Sequence, residues 1–172
     1  MASVTDSFHI RPARTRDVPA IKKLVAPLAE ERILMAKETV AYYESLQEFR
    51  IAESSDGEMV GCGALHVMWE DLAEIRTLAA SGQWRGKGVG HVLVESLLEE
   101  ARALGVARVF CLTFEVDFFK RHGFEVMADQ SAVDPDVYSE LLRSHDEGVA
   151  EFLDLARVKP NTLGNTRMIR TL

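Results

Sequence analysis

The segment Gln83-Trp84-Arg85-Gly86-Lys87-Gly88-Val89-Gly90 places three glycines and two cations between an apolar, strand-like run, Ile75 to Ala80, and a helical pattern from Val89 to Leu104. Glycine permits backbone conformations that a side chain forbids and lets the chain approach a ligand closely. At a helix N-terminus, the N–H groups and the positive end of the helix dipole favour an anion such as a pyrophosphate. Arg85 and Lys87 add formal charge at the same spot. The implied chemistry is recognition of a phosphate-bearing cofactor; the bland reading is a Gly-rich turn that links two elements. A P-loop is excluded because Gly88 is followed by Val89, where that motif needs Lys and then Ser or Thr. The dinucleotide pattern G-x-G-x-x-G fails too, since the glycines fall at G-x-G-x-G.

The elements around this loop read as one mixed α/β domain over residues 8–172. Phe8 to Ala13 is strand-like and stops near Pro12. Thr15 or Asp17 can cap the helix that follows, with Pro19 in its first turn, Ile21, Leu24 and Val25 on one face, and Pro27 as its end. A second helix is expected over Ile33 to Leu46. Strands follow at Phe49 to Glu53 and Met59 to Val67, joined by the turn Ser54-Ser55-Asp56-Gly57. After the Glu70-Asp71 turn comes the strand Ala73 to Ala79. In the helix after the loop, Val89, Val92, Leu93, Leu97, Ala101 and Leu104 recur at helical spacing, and Gly105 stops it. Val109 to Thr113 is a short buried-type strand, Phe118 to Phe124 a short aromatic helix ended by glycine, and Glu125 to Ala128 a strand. Asp134 to Leu142 reads as a helix, and Thr166 to Leu172 alternates like an edge strand able to pair across a homodimer.

Composition bounds the partners. The chain has 172 residues, 47% of them hydrophobic and 27% charged, the balance of an ordinary globular domain. A net charge of −7 disfavours nucleic acid. No apolar run reaches the roughly 18 residues of a membrane span, and Met1 to Ser7 lacks the features of a signal peptide, so no membrane partner and a cytoplasmic location are expected. Cys62 and Cys111 sit in apolar strand-like runs, as small buried hydrophobes do. No His spacing suits a metal site, and none is expected. The charge is unevenly spread: beyond Asp154 there is no acidic residue, and 16 basic groups face 27 acidic ones before that boundary, a local balance of −11. The basic tail can serve an anionic substrate or pair with carboxylates of the body.

Three stretches, in order, resemble the motifs of the GNAT N-acetyltransferases. Glu74-Ile75-Arg76-Thr77-Leu78-Ala79 is similar to their central strand, Gln83 to Gly90 to their acetyl-coenzyme A loop (Gln-x-x-Gly-x-Gly), and Phe118 to Phe124 to their Phe-Tyr-x-Lys-x-Gly-Phe segment. Ile10-Arg11-Pro12-Ala13 is also common there. Gly61-Cys62-Gly63-Ala64-Leu65, Leu112-Thr113, Arg121-His122-Gly123-Phe124 and the tail from Lys159 to Arg167 resemble short, stand-alone members of the N-acetylglutamate synthase group. Larger members carry an amino-acid-kinase-like domain, for which 172 residues leave no room. The resemblance implies the GNAT acyl-CoA N-acyltransferase fold, a mixed and mostly antiparallel sheet flanked by helices. It implies acetyl-CoA as donor and the α-amine of L-glutamate as acceptor, the first step towards arginine. L-glutamine, another amine, a protein or peptide acceptor, or a weakly catalytic CoA-binding regulatory module stand as alternatives.

Acetyl transfer needs a deprotonated amine, a polarised thioester carbonyl and a protonated leaving thiolate. Glu74, a strand carboxylate with apolar neighbours, is the candidate base; otherwise it is an exposed carboxylate paired with Arg76 or Arg108. The family's splayed strand implies that the N–H of Leu78 polarises the thioester, with Ala79 and Ala80 adding backbone contacts. The loop supplies Gln83, Arg85, Gly86, Lys87, Gly88, Val89 and Gly90 to the cofactor, and the aromatic segment supplies Phe119. Where many members carry a tyrosine to protonate the thiolate, this chain has Phe119. Thr113 matches a hydroxyl position in N-acetylglutamate synthases and could donate a hydrogen bond to the thiolate, relaying a water proton, unless it is merely a β-branched strand residue. Two acceptor carboxylates need cations or hydroxyls, for which Arg76, Arg167, Thr166, Lys37 and Lys159 are the candidates.

Overall fold

The computed structural model describes residues 7–31, 33–34, 37–128, 133–159 and 164–172. Among them the strands are β1 (Phe8–Pro12), β2 (Phe49–Ser54), β3 (Met59–Trp69), β4 (Leu72–Ala80), β5 (Arg108–Thr113), β6 (Glu125–Val126) and β7 (Thr166–Thr171). The helices are α1 (Val18–Glu30), α2 (Thr39–Glu44), α3 (Val89–Leu104), α4 (Val116–Lys120), α5 (Pro135–Leu141) and α6 (Glu147–Phe152). The strands form one mixed sheet in the order β1-β2-β3-β4-β5-β7-β6. β4 and β5 run parallel through Leu72↔Arg108, Ala73↔Val109 and Glu74↔Phe110. The pairs β1/β2, β2/β3, β5/β7 and β6/β7 are antiparallel. The expected mixed, mostly antiparallel α/β sheet flanked by helices is borne out.

The chain divides into two compact units, Met1–His66 with Ile75–Glu100, and Val67–Glu74 with Ala101–Leu172. In the first, alternation along β2 and β3 sends Phe49, Ile51, Cys62 and Ala64 into a cluster with Val18, Ile21 and Val25 of α1. Ala52 and Val60 join Trp84, Val89 and Leu93 in another. The glycines of Gly61-Cys62-Gly63 alternate with the α1-facing residues and lie beneath α3. A Cβ built on Gly61 would stand 2.6 Å from Val89 Cγ1 and 3.1 Å from the carbonyl oxygen of Ala79. α3 therefore rests directly on the β3 backbone. Leu93, Leu97 and Leu98 are fully buried, and truncating any one to alanine costs about 2–5 kcal/mol in a core of this kind.

In the second unit Leu72, Phe110 and Ile169 from three strands pack with Leu141 of α5 and with Val149 and Phe152 of α6. Phe110 meets Phe152 edge-on, with ring centroids 5.5 Å apart. Both cysteines are free and buried.

Several expectations are corrected. Pro27 lies inside α1, which continues to Glu30. Proline has a helical φ, and this close to the end its missing N–H removes one hydrogen bond without stopping the helix. The second helix covers only Thr39–Glu44 and passes into a 3-10 turn at Leu46–Glu48, while Met35 and Ala36 lie outside the described residues. On α3 the buried stripe is Val89, Leu93, Val94, Leu97, Leu98 and Ala101; Val92 and Leu104 are 44% and 56% exposed. β7 is not an edge. It pairs with β5 from Thr166 to Thr171 and with β6 through Met168 and Ile169, so the edge-strand route to a homodimer loses its basis. Helix α6, absent from the sequence reading, is almost entirely buried.

Near the N-terminus, Arg11 on β1 donates two hydrogen bonds to Asp17, both of 2.8 Å, and two to Glu53 on β2, of 2.9 and 2.7 Å. Asp17 also accepts the Arg14 N–H at 2.6 Å. These bonds, chiefly from Arg11, hold the Asp17 carboxyl below its ordinary range and raise the Arg11 guanidinium. A depressed carboxylate contributes stability above its unfolded value near pH 4, and that stability is lost as pH falls through the lowered folded value. Asp17→Asn is expected to cost about 2 kcal/mol at pH 7. The gap from wild type should close below about pH 4 in urea unfolding. A gap that persists undiminished in acid would show that the charge is not the cause.

Candidate active site

The first unit carries the cofactor candidates other than Phe119. β4 leads into a 3-10 turn, Gly82–Trp84, and the chain then passes through Gly86 and Gly88, with φ of 78° and 82°, into α3. Neither glycine would meet a neighbour if given a Cβ, so the need for glycine there is conformational rather than steric. Val92 N–H donates to the carbonyl of Gly88 at 3.1 Å. The N–H groups of Val89 and Gly90 thus precede the helical ladder and emerge at the helix N-terminus. Trp84 anchors the loop: its indole is buried, meets Phe8 edge-on at 6.1 Å, and carries Lys87 Nζ over its face at 4.8 Å. Gln83, Arg85 and Lys87 are exposed, and Leu78 and Ala80 are half-buried.

Just upstream, Thr77 has a φ of 55° although it is β-branched and buried. That conformation is strained for such a residue. Its carbonyl accepts a hydrogen bond from the Cys62 thiol at 3.5 Å. Nothing in the residue types along this strand announced the kink. Lys37 and Arg76 also belong to this unit, and both are half-buried.

The second unit carries the other candidates. Glu74 is 4% exposed, in register with Phe110. Glu74 is therefore not an exposed carboxylate, and Arg108 pairs with Asp71 at 3.2 Å. Thr113 ends β5, buried; its hydroxyl oxygen accepts the Glu115 N–H at 2.8 Å, which orients it and leaves the hydroxyl proton to donate. Phe119 is buried among edge-on contacts with Phe118 and Phe124. Thr113 faces Thr166 across the β5/β7 ladder, and Leu112 faces Arg167.

A cavity of about 390 Å³ opens at this end of β7, lined by Leu112, Val126, Met127, Asp154, Lys159, Gly164, Asn165, Thr166 and Arg167. It gathers three of the five acceptor candidates, Lys159, Thr166 and Arg167; Lys37 and Arg76 are not among its lining residues. Arg167 is fixed by two backbone acceptors, Nε donating to Glu151 O at 2.9 Å and Nη2 to Phe152 O. The guanidinium thus caps the C-terminus of α6, and it keeps further N–H groups for a ligand. Burial lowers it from its ordinary value, and the charge of Asp154 opposes that shift. Asp154 forms an ion pair with Lys159 and is held below the usual carboxylate range, chiefly by that contact. Sequence reasoning missed Asp154, although it marks the boundary beyond which the chain has no carboxylate. Pro160–Leu163, part of the tail that resembles the short synthases, lie outside the described residues.

The family model described as acetyltransferase (GNAT) family matches residues 19–124. The chain belongs to the GNAT acetyltransferase family. It is 54% identical over 165 residues to an amino-acid acetyltransferase of Mycobacterium tuberculosis (strain ATCC 25618 / H37Rv), covering 95% of this chain and 94% of the relative. Among solved structures it is similar to Rv2747 from Mycobacterium tuberculosis in complex with CoA and NLQ, with a TM-score of 0.90, 54% identity and coverage of 95% and 99% of the two chains. It is also similar to N-acetylglutamate synthase from Neisseria gonorrhoeae complexed with coenzyme A and N-acetyl-glutamate. There the TM-score is 0.75 and the identity 26%, and this GNAT chain spans 35% of the length of that one. Acetyl-CoA is the donor this family uses. A glycine-bearing turn, a helix N-terminus and two loop cations suit its pyrophosphate.

For this GNAT chain, Gly88→Ala forces a side chain into the left-handed region at a cost of about 1–2 kcal/mol. Acetyl-CoA titrations are expected to show about a tenfold loss of affinity. An unchanged affinity would mean that the loop backbone does not hold the cofactor.

Proposed function

We propose that this protein transfers the acetyl group of acetyl-CoA to the α-amine of a small amino acid, L-glutamate first among the candidates, as the entry step to arginine. The observation that carries the acceptor assignment is the cavity with Lys159, Thr166 and Arg167 on its wall. Its size suits an amino acid, and its cations suit carboxylates. The likeness to an amino-acid acetyltransferase over almost the whole chain supports the same reading. Lys37 and Arg76 stand as further acceptor contacts. The residues act as a single domain, 8–172. Among the described residues no helix is long and apolar enough to cross a membrane. With two free thiols, the cytoplasm is the proposed setting.

In this reading Glu74 takes a proton from the acceptor ammonium, directly or through a water. The freed amine attacks the thioester carbonyl, whose oxygen gathers negative charge and is met by the Leu78 N–H. Ala79 and Ala80 hold the pantetheine arm through their backbones, and Phe119 packs against the cofactor. Collapse of the tetrahedral intermediate forms the amide and releases CoA thiolate. Thr113 replaces the tyrosine that many relatives use: its hydroxyl, oriented by the bond from Glu115, donates a hydrogen bond to the departing sulfur, which is protonated through a water by the proton that the nitrogen sheds as the amide forms.

Purified protein supplied with acetyl-CoA and each common amino acid separately, with CoA release followed by a thiol reagent, tests the reaction. Turnover chiefly with L-glutamate is expected, and Glu74→Gln should lower kcat by about 10²- to 10⁴-fold with a smaller change in KM. Acetyl-CoA binding without turnover of any amino acid would overturn the assignment in favour of a protein acceptor or a CoA-binding module.

The same assay separates the two readings of Thr113. Thr113→Val is expected to lower kcat by about tenfold or more, and Thr113→Ser to restore it, because serine keeps both the acceptor and the donor. Equal activity in all three forms would make Thr113 a strand residue only.

A further inference from the structure

Among the described residues, three charged side chains line the cavity: Lys159, Arg167 and Asp154. The two cations suit a ligand with two carboxylates. The third is an anion placed against them, and nothing in the reaction requires it. Its position is fixed by the backbone. Asp154 follows α6 with a φ of 57°, and its N–H donates at 3.1 Å to the carbonyl of Glu151, which also accepts Arg167 Nε. One carbonyl therefore ties Asp154 and Arg167 to the same helix end. The Asp154 carboxylate is in turn bonded to Lys159.

We propose that Asp154 is a specificity-determining residue: by occupying Lys159 it leaves the described lining a net single positive charge and restrains recognition of a second carboxylate on the acceptor. The inference rests on the acceptor reading above and adds to it. A dicarboxylic amino acid must compete with Asp154 for Lys159, whereas its neutral amide isostere meets Asn165, Thr166 and Arg167 without that competition. An ordinary surface ion pair of this exposure contributes about 0–1 kcal/mol to stability, so retaining the fold is a poor reason for Asp154 to stand there. Its effect on a ligand's charge is direct, because the ligand and Asp154 share the cation.

The position allows a clean test. Asparagine and glycine both accept the left-handed conformation, so Asp154→Asn and Asp154→Gly remove the charge while keeping the backbone. We would measure kcat and KM with L-glutamate and with L-glutamine for the wild type and both variants, together with thermal melts. The ratio of kcat/KM for L-glutamate to that for L-glutamine should rise by about 3- to 10-fold in both variants, carried by KM, and the gain should shrink in high salt. A ratio within about twofold of wild type, or one that falls, would overturn the proposal and leave the acceptor reading intact. A wild type that neither turns over nor binds either amino acid in calorimetry would overturn both. If both variants failed to fold, Asp154 would be a structural residue and the proposal would fall.

Discussion

The constraint on which the rest of the first unit depends is the backbone at Thr77. A buried β-branched residue at φ 55° persists only where its surroundings over-determine it, since the conformation costs about 1–2 kcal/mol by itself. The surroundings here are specific. Ile75 and Ala79 on either side are buried, and the Cys62 thiol reaches the Thr77 carbonyl from the neighbouring strand. Beyond the kink, Ala79 faces the α1 side of the sheet with Ile51 and Cys62, while Leu78 and Ala80 join Val89 and Leu93 on the other. The strand thus reaches Gly82 aimed at α3, and the glycine loop is short because little redirection is left for it to do.

What fixes the helix N-terminus is packing rather than capping. Val89, the first residue of α3, lies so near Gly61 that a single methyl group there would collide with it. β-branched Val89 has little rotameric freedom to yield, and the carbonyl of Ala79 bounds the other side. The Gly-Cys-Gly-Ala sequence of β3 therefore has two jobs on alternate faces. Its glycines admit α3, and Cys62 and Ala64 fill the core beneath α1. Burial drives the Cys62 thiol up to about 12, so it acts as a small hydrophobe and hydrogen-bond donor at physiological pH. The placement of the loop rests on this contact, because N–H groups at a helix N-terminus are only as well placed as the helix that carries them.

How much of this was legible follows from the range of the interactions. Helix α3 was readable to the residue, since its apolar period, the glycines before it and Gly105 after it are local signals. Its buried face was less so. Val92 and Leu104 fit the period but meet solvent, while Val94 and Leu98 are buried, because burial depends on which partner covers the stripe. Helix α6 was invisible: six residues with two glutamates and a glycine carry little periodicity, and only the cluster around Phe110 and Phe152 gives them a helix to form. The loop's conformation was legible because the positive φ of Gly86 and Gly88 is written in glycine spacing. Thr77 was not, because a strained φ has no side-chain signature. The cavity fell between these cases, with its cations visible as a basic tail and its anion overlooked as the last member of an acidic body.

Arg167 shows why the tail needed the fold to be understood. By sequence it was a cation for a carboxylate. In the structure its Nε and Nη2 close the last carbonyls of α6, a job that buried helix ends require of some donor. Only the part of the guanidinium left over is available to a ligand. The two roles support one another. A long, flexible side chain pinned at two points has already lost most of its rotamer entropy, so a carboxylate that binds it need not supply that cost. Lysine at this position could not hold both carbonyls in the same plane and still present a donor in a fixed direction. In the proposed acceptor reading the geometry of α6 is thus part of the site, although none of its six residues lines the cavity. A six-residue helix with no recognisable motif thus both fills the core, through Val149 and Phe152, and holds one arginine.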